Sequence, residues 1–419
     1  MSNLLILRSL CYPSMNTGIP AMTFAPLRLK KNEDRRLRAG HCWIYSNEID
    51  TVATPLKGME SGQLVEIFTD RGKLLGTGYV NPHSLISARI VSRDHKHPVS
   101  GSLIVHRLKV ALSLRERLYE KPFYRLVFGE SDGLPGLVID RFGDYLVIQI
   151  TTAGMERMKA DILAAVEKTL KPQGVLFRND SSARELEGLD QYVEQALGTW
   201  PDVLKVEEHG VRFNVPSQDG QKTGWFFDQA ANRGRMLSYV EGKRVLDVCS
   251  YIGAWGVQAA VKGATEVICV DASSSALDAV DGNAQENRVS ESVAGLQGDA
   301  FDALRELRLA NERFDVVMVD PPAFIKRKKD TKEGTLAYRR INQLALQLLN
   351  KDGILISSSC SHHMSEASLL NEIQQAARHT DRSLQLLERG FQAPDHPVHP
   401  AIAETAYLKC FTFRVLPTF

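Results

Sequence analysis

The sequence lacks paired cysteines, which removes several kinds of chemistry at once. Its six cysteines, Cys11, Cys42, Cys249, Cys269, Cys360 and Cys410, are scattered, and none falls in the CxxC spacing of a zinc site or redox pair. Reduced thiols in a cytoplasmic protein are the expectation. Long apolar runs are missing too: no window holds the ~20 consecutive apolar residues a membrane-spanning helix needs, so no membrane partner is expected. Charge of one sign is scarce. Lys and Arg number 51 against 50 Asp and Glu, a net charge of +1, so any contact with nucleic acid must rest on local patches. A near-neutral surface also allows a homodimer without demanding one. Adjacent His362 and His363 lack helical ligand spacing and have no cysteine pair beside them, so no metal is expected. No internal repeat or low-complexity tract is present.

What is there is the composition of a globular protein, 43% hydrophobic and 24% charged. A chain of 419 residues exceeds the ~250–300 at which one core stops growing, so two or three domains are expected. Residues 1–22 carry a short apolar run without a basic segment before it or a cleavage site after it. They are expected to be a tail or an extension from an upstream start codon.

Residues 23–98 alternate short apolar runs, LVEIF, LLGTGYV and LISARIV, with turn residues, the pattern of a small β-rich domain. It opens on LRLKKNEDRRLRAGHCWIY, where Arg35 and Arg36 lie in a basic stretch followed by Trp43 and Tyr45. Basic residues beside aromatics suit RNA, whose phosphates pair with charge and whose bases stack on rings. A helix with a solvated charged face is the alternative. Residues 99–215 mix a helical pattern at 106–119, an LVID/YLVIQI hairpin, a helix at 155–170, a GVLFRND strand and a VEEHGVRFNV hairpin, an α+β middle domain.

From Lys243 onward the pattern becomes strand, helix, strand, helix. The apolar strands RVLDVCS, TEVICVD, FDVVMVD and ILISSSC are continuous, so both faces of the sheet are expected to be covered, with parallel strands in a doubly wound Rossmann-like α/β domain at 216–419. Ligands in such sheets lie beyond the carboxyl ends of the strands. The first strand runs into DVCSYIGA, with Asp247, Ser250, Tyr251 and a single glycine, Gly253. The GxGxxG cradle for pyrophosphate is absent. The second ends at Asp271, whose carboxylate suits two ribose hydroxyls; together these fit a nucleoside without phosphates. The third leads to Asp299 and Ala300, where a carboxylate and backbone groups suit an adenine edge. The fourth ends in DPPAF, Asp320 to Phe324, and the fifth in a serine-rich turn around Cys360. Any one of these alone reads as a helix cap or a packing residue; the ordered series is far more specific.

In that series the chain resembles the class I methyltransferases, and closely resembles the bacterial large-subunit ribosomal RNA methyltransferases that make 5-methylcytosine. The resemblance covers nearly all of the chain from Thr23, including EEHG at 207–210 and WFFDQAANR at 225–233. It implies a PUA-type RNA-binding domain ahead of the middle and catalytic domains. It also implies S-adenosylmethionine as cofactor, with residues 247–253 around its methionine end, Asp271 at the ribose and Asp299 at the adenine. The substrate implied is a cytosine of 23S ribosomal RNA. Carbon 5 of that base is a poor nucleophile until a group adds to carbon 6, so a covalent nucleophile is needed, and Cys360 is the candidate. Asp320 is expected at the cytosine amino edge and N3, and Phe324 against the flipped base. The basic run after it, Lys326, Arg327 and Lys328, is expected to meet RNA phosphates, with a solvated charge run as the alternative. The chain departs from many such enzymes in having Ala323 where a second cysteine would follow the proline. DPPAF also resembles the loop of enzymes that methylate exocyclic amines, which keeps that reaction open as the alternative. An inactive RNA-binding or ribosome-assembly module is the other.

Overall fold

The computed structural model describes residues 24–217 and 223–418; the expectation for residues 1–22 lies outside them. The first unit is a five-stranded sheet of β1 (Ala25–Arg28), β2 (Trp43–Ile44), β3 (Gln63–Phe68), β4 (Leu74–Val80) and β5 (Ala88–Ser92), in the order β1-β3-β4-β5-β2. The inward residues of these strands, among them Leu27, Ile44, Val65, Ile67, Val80 and Ile90, form its core, and Leu37 of the one-turn helix α1 (Arg35–Arg38) closes it. A residue from far downstream, Ile402, is fully buried in the same core.

The middle unit starts with α2 (Gly101–Leu118), longer than its sequence pattern because Ser100 caps it, its hydroxyl accepting from Leu103 N. A five-stranded sheet follows, β6 (Phe123–Phe128), β7 (Leu137–Phe142), β8 (Tyr145–Ile150), then α3 (Ala153–Arg157), α4 (Lys159–Leu170), β9 (Gly174–Asn179) and β10 (Tyr192–Gly198). The helix expected at 155–170 is thus two helices meeting at Met158, which has non-helical backbone angles. Their crossover makes β8 and β9 parallel; the other pairs are antiparallel. The first two units are clamped together. Tyr79 donates to Pro135 O at 2.7 Å, Arg89 pairs with Glu187 at 2.9 Å, and Trp43 Nε1 donates to Glu130 at 2.8 Å.

The hairpin β11 (Val203–Glu208) and β12 (Val211–Pro216) was grouped by sequence with the middle unit. Its Leu204, Val206, Phe213 and Val215 are buried in one core with residues of the catalytic sheet and its helices.

The catalytic domain contains α5 (Ala230–Met236), β13 (Arg244–Val248), α6 (Gly256–Val261), β14 (Glu266–Asp271), α7 (Ser274–Glu286), β15 (Val293–Gln297) and α8 (Ala300–Leu309). It continues through β16 (Phe314–Val319), α9 (Thr331–Leu348), β17 (Leu349–Ser359), α10 (Glu366–Arg378), β18 (Arg382–Gly390) and β19 (Lys409–Pro417). The order β15-β14-β13-β16-β17-β19-β18 corrects the expectation of a wholly parallel sheet: six strands run the same way, while β19 runs antiparallel to both its neighbours, β17 and β18. The β-branched runs of β13, β14 and β16 are buried because helices cover both faces. Edge strand β18 alternates half-buried and exposed positions instead. The chain reverses direction across the sheet between β13 and β16, so the crevice for a ligand opens beyond their carboxyl ends.

Residues 391–408, joining β18 to β19, do not stay with this domain. Asp395 accepts from Arg125 N at 2.8 Å and its carbonyl from Arg115 at 2.7 Å, both in the middle unit, and Ile402 enters the first core before the chain returns.

Candidate active site

Asp247 ends the apolar stretch of β13 and is fully buried. One carboxylate oxygen accepts from Gly256 N at 2.9 Å, while the other, like the buried hydroxyl of Ser250, has no partner among the described residues. Burial, reinforced by the like charges of Asp320 and Asp271, pushes the Asp247 carboxyl up to about 7. The loop that follows is held by Cys249 N and Ser250 N, both donating to Val270 O. Within it Cys249 (φ +65), Tyr251 (φ +49) and Gly253 (φ +82) take left-handed angles. A side chain at Gly253 would put a Cβ 2.9 Å from Val257 Cγ2, so packing as well as backbone requires glycine there. Two non-glycine residues in that region cost about 1 kcal/mol or more each, a strain that clusters where a loop must present itself to a ligand.

Asp271 lies beside this loop. Its two oxygens accept from Tyr251 N at 2.8 Å and Ser273 N at 3.0 Å, which fixes the carboxylate and leaves acceptor capacity on both oxygens. Asp299 caps α8 through one oxygen, taking Phe301 N at 2.9 Å, and Ala300 is the first residue of that helix. Asp299 also borders a cavity of about 440 Å³ shared with Phe301 and Arg340. A larger cavity of about 870 Å³, bordered by Arg93, His106 and Arg107, lies between the first two units and holds none of this series. The strand-end geometry, and not the bigger hollow, marks the site.

Beyond β16, Asp320 accepts from Gln229 Nε2 at 2.9 Å and from Trp255 Nε1 at 3.1 Å. Burial raises its carboxyl to about 6, with Asp228 adding to the rise and the Trp255 bond opposing it. Phe324, half-buried, packs against Tyr338 (centroids 4.8 Å apart) and Phe301 (6.0 Å). Cys360 follows the last residue of β17 and is partly exposed. Its neighbours are locked: Ser359 donates to the Tyr338 hydroxyl at 2.8 Å, that hydroxyl and Ser361 Oγ are 2.9 Å apart, and Ile325 N donates to Ser361 Oγ at 3.2 Å. Ser361 therefore ties the DPPAF loop to the cysteine turn.

Sequence reasoning missed much of the support. Glu208 of the EEHG stretch accepts from Arg233 at 2.5 and 2.8 Å, from Gln258 at 2.8 Å and from Trp225 at 3.2 Å. Both marker segments thus meet at one buried ion pair, a role that no spacing announces. Tyr407 donates to Asp228 at 2.5 Å, and Lys409 donates to the carbonyls of Ser361 and Tyr407, both at 2.7 Å. Of the expected RNA contacts, Lys326, Arg327, Lys328 and Arg35 are exposed. Arg36 is committed internally: its guanidinium grips Glu48 at 2.8 and 2.9 Å and Trp43 O at 3.0 Å. Trp43 is committed as well, through Glu130.

The residues present fit S-adenosylmethionine. A fully buried carboxylate oxygen without a protein partner, Asp247 Oδ1, stands just before a loop shaped by left-handed backbone, and a preset carboxylate on the next strand suits a ribose diol. Fold and cradle together define an S-adenosylmethionine-dependent methyltransferase.

Comparison with known proteins agrees. Residues 27–93 match the model of a PUA-like domain, and residues 162–414 that of an S-adenosylmethionine-dependent methyltransferase, a span beginning inside the middle unit. Ribosomal RNA large subunit methyltransferase I of Shigella boydii serotype 18 is 38% identical over 396 residues, covering 93% of this chain and 99% of that protein. Its Escherichia coli (strain SMS-3-5) counterpart is 37% identical over 397 residues, with the same coverage. The chain belongs to this methyltransferase I family. The crystal structure of SMU.776 in complex with SAH has the same fold, with a TM-score of 0.79 at 21% identity over 94% of this chain and all of that one. Among the described residues, no helix is long and apolar enough to cross a membrane, and no group of three His, Cys, Asp or Glu residues is placed to hold a metal ion.

Proposed function

We propose that this methyltransferase acts on large-subunit ribosomal RNA and methylates carbon 5 of a cytosine in 23S RNA through a covalent adduct of Cys360. The observation carrying the reading is the junction at Ser361, which joins a partly exposed cysteine to the loop bearing Asp320. The names of the relatives at 37–38% identity support the RNA substrate.

S-adenosylmethionine, when bound, supplies an electrophilic methyl group and leaves as the thioether. Cys360, as thiolate, adds to carbon 6 of the cytosine and moves the ring electrons to carbon 5, which takes the methyl. Loss of the carbon 5 proton then lets the sulfur depart and restores the double bond. Asp320, raised to about 6 by burial, exchanges a proton readily near neutral pH and serves the amino and N3 edge. The exposed face of Phe324 stacks on the base, stiffened from behind by Tyr338. Lys326, Arg327, Lys328 and Arg35 take phosphates.

The test is to incubate the protein with S-adenosylmethionine and unmodified 23S RNA, digest the RNA and identify the methylated nucleoside by mass spectrometry. 5-Methylcytidine that vanishes in Cys360→Ala, with cofactor affinity unchanged, is expected. An N-methylated base, or product surviving that substitution, would shift the reaction to the exocyclic amine chemistry that the DPPAF loop also suits.

A further inference from the structure

The reading above needs a thiolate at Cys360, and a thiol at its ordinary value is mostly protonated at neutral pH. Something nearby must favour the charged form. The groups around the cysteine come from three elements. Tyr338 stands on α9, with its hydroxyl shared by Ser359 and Ser361. The rings of His362 and Tyr407 pack together with centroids 5.5 Å apart, and the Tyr407 hydroxyl is bound to the carboxylate of Asp228. Lys409 begins β19 directly opposite Ser359, the residue before Cys360. Burial holds both phenols above their ordinary range, so they are neutral at working pH and supply no charge. Asp228, the one carboxylate in this set, has the wrong sign. His362 carries a positive charge only when its imidazole is protonated, whereas Lys409 is a cation at neutral pH and is bonded to the turn itself.

The position of its ammonium is tightly fixed. Two of its three N–H groups are taken by the carbonyls of Ser361 and Tyr407, each at 2.7 Å, so the nitrogen is fastened to the residue that follows the cysteine. A half-buried cation costs desolvation, and lysine at a strand end is ordinarily turned out to water. Here it is turned in, toward the turn that carries the proposed nucleophile.

Resting on that reading of Cys360, we infer that Lys409 is its positioning residue: the ammonium, clamped between the carbonyls of Ser361 and Tyr407, stabilises the Cys360 thiolate and holds its turn in register with the Asp320 loop. The thiol proton leaves to solvent and the ammonium keeps its own three; no other bond changes and no electron is transferred. Burial lowers Lys409 to about 8 while the neighbouring cysteine opposes the drop. The pair therefore keeps its cation at neutral pH and loses it as pH climbs past about 8.

The experiment uses the full-length protein and follows alkylation of the Cys360 peptide by iodoacetamide across a pH series, quantified by mass spectrometry so that other cysteines do not interfere. Lys409→Met is expected to raise the midpoint of Cys360 reactivity by about one pH unit or more, the size of shift an adjacent opposite charge produces. Lys409→Arg should restore most of it. Methyl transfer by Lys409→Met should fall in kcat and recover partly at higher pH, with S-adenosylmethionine affinity preserved as the check on folding. If Lys409→Met does not keep that affinity, Lys409→Gln, closer in shape, takes its place in the comparison. An unchanged midpoint in a folded variant overturns the inference, whatever Cys360→Ala does to the product. Product that survives Cys360→Ala overturns the assignment of the nucleophile instead, so the two failures are told apart.

Discussion

Glu208 and Arg233 form a two-bond ion pair, Nε to one oxygen at 2.5 Å and a terminal nitrogen to the other at 2.8 Å, with both side chains buried. Burial by itself would raise the Glu208 carboxyl, but the guanidinium and the Gln258 amide hold it below its usual value. The pair fastens the β11–β12 hairpin to the segment that supplies Gln229 and Asp228 to the site.

Removing one partner would strand the other charge in the core. Arg233→Met is expected to cost on the order of 3–5 kcal/mol, as broken buried pairs do. Glu208→Gln, which keeps the shape, should cost less. Equilibrium unfolding in urea measures both, and a loss under about 1 kcal/mol for Arg233→Met would mean the pair is not what holds the hairpin down.

Asp247 makes a prediction in pH. Its carboxyl lies near 3.8 in an unfolded chain and at about 7 in the folded one. Between those values the folded chain keeps a proton that the unfolded chain has released, so ligand-free stability should fall as pH rises from about 4 to 7. Asp320, raised to about 6, adds in the same direction over the lower part of that window. A ligand carrying ammonium and sulfonium charges favours the carboxylate, so S-adenosylmethionine should bind more tightly as pH rises through 7. Asp247→Asn should flatten both trends in thermal unfolding and calorimetric titration. Wild-type affinity that is level from pH 6 to 8 would remove Asp247 from the neighbourhood of the ligand's cations.

Lys326, Arg327 and Lys328, exposed and proposed to take RNA phosphates, give a test that concerns RNA binding. Replacing all three by alanine should lower the slope of log affinity against log salt by about 2–3, the counterion release of three phosphate contacts, and leave S-adenosylmethionine binding untouched. An unaltered slope would leave the run a solvated surface.

The strand ends were legible because each carries a local signal: an unbroken apolar run closed by Asp247, Asp271 or Asp320. Supporting contacts were not, since their partners lie far apart in the chain. Glu208 meets Gln258 across 50 residues, and Asp395 meets Arg125 across 270. Arg36, a basic residue expected at RNA, is also held by Glu48, a bond that nothing local in the sequence discloses. The stretch PDHPVHPAIAETAY has no helical or strand periodicity to announce a core role, yet it contains buried Asp395, His396 and Ile402. Edge strand β18 gives little local signal because no residue of RSLQLLERG is fully buried and Gln385, Leu387 and Arg389 are exposed.

Ile402 joins the core of the PUA-like fold, and five residues later the same stretch of chain presents Tyr407 beside the cysteine turn. The protein is therefore not a string of separable modules. Cutting away the N-terminal fold would leave Ile402 without its pocket and slacken the chain that leads into the active centre, so a shortened enzyme that failed to methylate would not prove that substrate capture alone had been lost.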